Sequence, residues 1–273
     1  MINTMQLLTE IREVIKEELG ISEEVIKLTN QFYDEMVNTI KNCTEQEKNE
    51  TCIKKTCSMK FMINDIKVTS SITYRNFLSK EYNKLYDMPY ITNGASFFVT
   101  NNLYFCFINV FAISGTIVKE KAMETIQHEM EHIYQQIQMG KGFGGESLYV
   151  KIKTDMESSD EGRNKIGKLF YYTLKYEQEG FCNGLYGYLM DINQPYSDDL
   201  LMKTESWQNY TFLKQTFNEL KDNDTLKSIF NEYFTNFGIT IKDIEKEINN
   251  YLHRIGRVII KVKKDKINQG WKD

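Results

Sequence analysis

The sequence predicts an α+β fold, predominantly helical, with a small antiparallel-type sheet packed on one long helix and a helical C-terminal lobe. Three observations predict it. From Met59 to Phe111 apolar residues sit among β-branched neighbours in short runs, the pattern of strands. From Val118 onward they recur every three or four residues, the pattern of helices. Only 2 Pro and 15 Gly in 273 residues exclude collagen-like, linker-dominated and low-complexity chains. A chain of this length can bury a sizeable core as one large domain or two small ones.

The elements follow in order. Leu7, Leu8, Ile11, Val14 and Ile15 keep a helical period that Gly20 stops. Ser22 opens a second helix as an N-cap followed by two glutamates, and it runs through Val25, Leu28, Phe32 and Met36. Residues 42–58 are polar, carry Cys43, Cys52 and Cys57, and read as a loop. Phe61, Ile63, Ile66 and Val68 mark a strand region from Met59 to Tyr74, and Pro89 and Asn93-Gly94 mark a loop over 82–94. Two strands, Ser96–Thr100 and Leu103–Phe111, are joined by Asn101-Asn102, residues suited to a tight hairpin. A helix spans Val118 to Gln138. The glycine-bearing stretch 141–160 reads as loop with a strand at Leu148–Ile152. One long helix is expected from Asn164 to Asp191, then three more over 204–221, 224–237 and 241–263. The organisation expected is a helical arm and loop over 1–58, a core over 59–195 and a helical lobe over 196–273.

Only 3 His occur in the chain, and two of them lie four residues apart, with Glu129 directly after the first: His128-Glu129-Met130-Glu131-His132. In a helix of 3.6 residues per turn both imidazoles leave the same face and can grip one metal ion. Neutral imidazoles suit Zn²⁺, and a carboxylate next to the first His is placed to act as general base on a metal-bound water. A catalytic zinc needs a third protein ligand and an open position. No third His follows closely, so the next long helix supplies two candidates, Glu177 and Glu179. Glu177 is in phase with Phe170, Leu174, Phe181 and Leu185, with Gly180 and Gly184 on its side. Glu179 is about 200° away around the helix, yet Asn183 one turn on offers its carboxylate a hydrogen bond.

His128-Glu129-x-x-His132 followed 45 residues later by a helix-borne Glu177 resembles the gluzincin branch of the zincin metallopeptidases. Glu177-x-x-Gly180 is similar to the Glu-x-x-Ala of several glutamate helices, with Phe181 where an Asp often follows. Gln135-Gln136 resembles the tail of zincin families in bacterial and phage-encoded particle proteins. The resemblance covers roughly residues 96–190. It implies zinc-dependent hydrolysis of a peptide or protein substrate, with Zn²⁺ held by His128, His132 and Glu177 (alternatively Glu179) and Glu129 as general base. It implies that the strand Leu103–Ile108 is an edge that pairs with substrate backbone. It also implies an oxyanion donor, for which Tyr186, Tyr188 and His253 are the candidates. A different class of protein fits the same residues: a zincin-fold structural or virion-packaged protein with restricted or no activity, docked to partners through its helical arms.

The net charge of −4, from 34 basic and 38 acidic side chains, disfavours a nucleic-acid binder that relies on overall positive charge. A local exception is the basic run Arg254, Arg257, Lys261, Lys263, Lys264, Lys266 and Lys272, read first as a solvated tail. The first ten residues have no signal-peptide pattern, no window reaches about 18 apolar residues, and the five Cys are odd in number. A cytoplasmic or virion-associated setting is the expectation.

Overall fold

The computed structural model describes residues 23–41, 52–63, 66–77, 92–100, 103–113, 119–139 and 147–271. The expected helix over 7–20 and the loops at 42–51, 78–91 and 140–146 lie outside the described residues. So does Lys272. The elements in chain order are α1 (Glu23–Lys41), β1 (Cys52–Ile63), β2 (Ile66–Phe77), β3 (Thr92–Thr100), β4 (Leu103–Ile113) and α2 (Lys119–Met139). There follow α3 (Ser147–Met156), α4 (Glu161–Thr173), α5 (Lys175–Asp191), α6 (Asp198–Met202), α7 (Glu205–Asp222), α8 (Asp224–Phe237) and α9 (Ile241–Asn268).

The expected α+β fold with an antiparallel sheet is corrected. Of the residues whose side-chain surroundings are described, 87% are helical and none lies in a strand, so the protein is a mostly helical fold. The four strand segments are defined by backbone alone, and their pairing is mixed, in the order β1-β2-β4-β3. β1 and β2 are antiparallel from Cys52↔Phe77 to Ile63↔Ile66, whereas β2 and β4 are parallel from Val68↔Tyr104 to Phe77↔Ile113. β3 pairs antiparallel with the other side of β4. Leu103–Ile108 is therefore an interior segment and not a free edge for substrate, because both its hydrogen-bonding sides are taken. Cys52 and Cys57, expected in a loop, belong to β1, and the expected loop ending at Gly94 gives way to β3 from Thr92.

Two compact units divide the chain, one built on Ile21–Gly142 with Met190–Ile192, the other on Phe143–Leu189 with Asn193–Asp273. In the first, α1 buries Val25, Leu28 and Phe32, and it packs on α2, β1 and β2, while α2 packs on β3 and β4. The Thr29 hydroxyl donates to the Val25 carbonyl at 2.7 Å, which lets a polar residue share the buried face.

The second unit is a helical assembly around α4, which packs on α3, α7, α8 and α9. Phe170 stacks on Tyr233 with ring centroids 3.8 Å apart and on Phe230 at 5.5 Å. Gly167 lets α3 approach α4 closely: a Cβ there would lie 2.4 Å from the Met156 nitrogen. The buried Asp155 accepts hydrogen bonds from the Tyr233 hydroxyl (2.8 Å) and Lys151 (2.6 Å). Asp160, Thr204, Asn223 and Thr240 each cap a helix through a side-chain oxygen, and Thr240 with Asp243 completes a capping box.

Three further expectations are revised in this unit. The strand expected at Leu148–Ile152 is the middle of α3, whose buried side is a single position per turn and so carries little period for either structure. The single helix expected over 164–191 is two, α4 and α5, because Leu174 turns extended (φ −64°, ψ 127°). The Thr173 hydroxyl bonds back to the carbonyls of Phe170 (2.8 Å) and Leu169 (3.1 Å) at that break. The basic C-terminal run is not a tail: α9 continues to Asn268, Lys266 is 3% exposed and donates to the Gln194 carbonyl, and Lys261 pairs with Asp265 at 2.9 Å.

Candidate metal centre

Helix α2 sets one face to each task. Ala122, Ile126, Met130, Ile133 and Ile137 form an apolar stripe with exposures between 0 and 8%. At 100° per residue, His128 and His132 emerge about half a turn from that stripe, on a face that also carries Glu124 and Glu131. That polar face is buried as well. His128 is 9% exposed, His132 6%, Glu124 4% and Glu131 6%, and Glu129 on the flank is 5% exposed. Lys121 pairs with Glu124 at 2.8 Å.

The two imidazoles lie edge to face with ring centroids 4.5 Å apart. His132 Nδ1 donates to the Gln135 side-chain oxygen at 3.1 Å, one turn further along the helix. That bond holds the ring and, with the proton on Nδ1, puts the lone pair on Nε2. Glu177, in the first turn of α5, is 3% exposed. One ligand atom from each of His128, His132 and Glu177 lies within 4.8 Å of the others, so this buried group could hold a metal ion. Two imidazoles and one carboxylate are a zinc-type donor set. Glu129 and Glu131 add two further buried carboxylates on α2.

Glu179 is not part of the group; its side chain is 36% exposed and its oxygen lies 3.7 Å from Lys175. The helix breaks at Leu174, upstream of Glu177, and Glu177 is buried with Phe181 and Leu185 along α5. Of the oxyanion candidates, Tyr186 donates its hydroxyl to Asp265 at 2.8 Å, and burial together with that carboxylate raises its pKa. Tyr188 is 5% exposed within α5. His253 lies half-buried on α9 with no hydrogen-bond partner for Nδ1 among the described residues, and it is outside the metal group.

The role of Gln135 was not read from the sequence. Gln135 orients His132, and its spacing of three residues was the available signal. Tyr172, at the end of α4, has its hydroxyl pushed up to about 12, first by burial and then by the charges of Glu205 and Glu177. The Cys182 thiol is also pushed up to about 12 by burial, against the pull of Arg254 and Arg257, which keeps it protonated and inert as a nucleophile. No family model, no curated protein and no solved structure matches this chain.

Proposed function

We propose that the chain is a zinc-dependent hydrolase of peptide bonds, with His128, His132 and Glu177 as metal ligands and Glu129 as general base. The observation that carries this reading is the buried His128/His132/Glu177 group with a buried carboxylate following its first imidazole. Bound zinc would supply Lewis acidity for the scissile carbonyl and acidify water toward neutral pH. Glu129 accepts the proton of the attacking water and delivers it to the leaving amine. Gln135 holds the His132 ring through Nδ1 throughout.

Purified protein should carry one equivalent of zinc and cleave unfolded protein substrates. Glu129→Gln should retain the metal and lose cleavage. Cleavage unchanged in Glu129→Gln would sink the assignment of the base.

The burial of all three ligands favours a second reading, in which the metal organises a structural or packaged protein. On that reading chelation lowers thermal stability, no substrate is cleaved, and X-ray absorption of the zinc-loaded protein shows four protein ligands and no exchangeable one.

A further inference from the structure

We infer that Gln136 is a positioning residue for the metal centre, its amide oxygen accepting a hydrogen bond from a water ligand of the cation. This rests on the zinc reading above. Gln136 is 1% exposed, and its side-chain oxygen has no hydrogen-bond partner among the described residues. A buried carbonyl-type acceptor with no donor is destabilising, so a native helix rarely keeps one without use.

Its place on α2 supplies the use. His128, His132 and Gln136 stand at intervals of four, an ascending ridge on which each side chain is rotated about 40° from the last. Helical side chains lean toward the N-terminus, so Gln136 leans over the turn that bears His132. Protein donors could have satisfied the oxygen, but the neighbouring polar side chains on that ridge are metal-ligating or acidic. The His132 Nδ1 proton is already given to Gln135 at 3.1 Å. What a bound cation adds beside His132 is a strongly polarised water, the best donor available to a neutral amide oxygen. Gln127 makes the contrast: it is equally buried with its Nε2 unpartnered, but it lies about 100° around the helix from His128 and offers a donor, which no metal-bound water requires.

The test is cobalt substitution of the full-length chain, reading Co²⁺ affinity by chelator competition and the visible spectrum across pH. Gln136→Leu should weaken Co²⁺ binding about tenfold and shift the pH-dependent visible band, as loss of such an outer partner does elsewhere. Its metal-free form should melt at or above the wild-type temperature, because an unpaired buried oxygen is gone. Gln136→Glu, which keeps an acceptor, should restore the affinity, and Gln127→Leu should leave it unchanged. Unchanged affinity and spectrum in Gln136→Leu overturn this inference alone. Absence of Co²⁺ and Zn²⁺ binding in the wild type overturns it together with the zinc reading. Should Gln136→Leu fail to fold, Gln136→Met, which keeps the volume and lacks the oxygen, carries the same expectations.

Discussion

Helices α2 and α9 are both long, 21 and 28 residues, and both are sunk in protein, but they are filled differently. α9 buries Ile244, Ile248, Tyr251, Ile255, Val258, Ile259 and Val262 along one stripe and turns most of its charges outward or into pairs. Apolar burial explains it, at about 1.5–3 kcal/mol for each large side chain. α2 is buried without interruption from Ala122 to Ile133, and seven of those twelve residues are Glu, Gln, His or Thr. Apolar burial does not account for those seven, which are buried at a cost unless each finds a partner, as Glu124 does in Lys121 and Thr125 in the Lys121 carbonyl. On that face the His128/His132/Glu177 group could hold a metal ion.

That contrast can be broken in several ways. The largest effect should come from Glu129→Gln, which lowers peptide hydrolysis by about 10²–10⁴-fold with zinc content retained. Next, His132→Ala should abolish zinc-dependent stabilisation, roughly 4 kcal/mol at free zinc a thousand times above Kd. Thermal melts with and without metal read this directly, and equal zinc-induced shifts in variant and wild type would contradict it. Ile255→Ala on α9 should cost about 3 kcal/mol by denaturant unfolding, the same with or without zinc. A cost that depended on metal would erase the distinction between the helices.

Two smaller effects concern the helical unit alone. Thr240→Ala removes the α9 capping box and should cost about 1 kcal/mol. Glu232 is held below the ordinary carboxylate range chiefly by its hydrogen bond from Arg163, helped by Lys151. A depressed carboxylate contributes stability that is present above its unfolded value near 4.5 and is lost as pH falls through the folded value. Melting temperature followed below pH 5 should therefore fall less steeply in Glu232→Gln than in wild type. The difference should be small, since the carboxylate is 38% exposed and screened.

The grouping of His128 with His132 was legible because its signal is local: they stand four residues apart, and helical periodicity alone puts them on one face. Glu177 was reachable since Phe181 and Leu185, its neighbours at i+4 and i+8, declare the buried side of α5. The helices from 204 onward were legible for the same reason, with caps at Thr204, Asn223 and Thr240 marking their starts. Long-range features were not legible. Nothing within residues 103–113 states that a parallel partner, β2, occupies one side of the strand, because register is set between segments rather than within them. The break at Leu174 has no Pro or Gly to announce it, and the Thr173 hydroxyl bonded to the Leu169 and Phe170 carbonyls there is common in unbroken helices too. Lys266 looked solvated because sequence shows charge but not the Gln194 carbonyl that receives it.

The central claim is that the buried polar face of α2 is a metal centre completed by Glu177. Metal analysis of wild type, Glu177→Gln and Glu179→Gln, purified side by side and dialysed against the same zinc buffer, tests it most directly. The account predicts one zinc per chain in wild type and in Glu179→Gln, and a fraction of that in Glu177→Gln. No stoichiometric metal in wild type, or loss in Glu179→Gln with retention in Glu177→Gln, would contradict it.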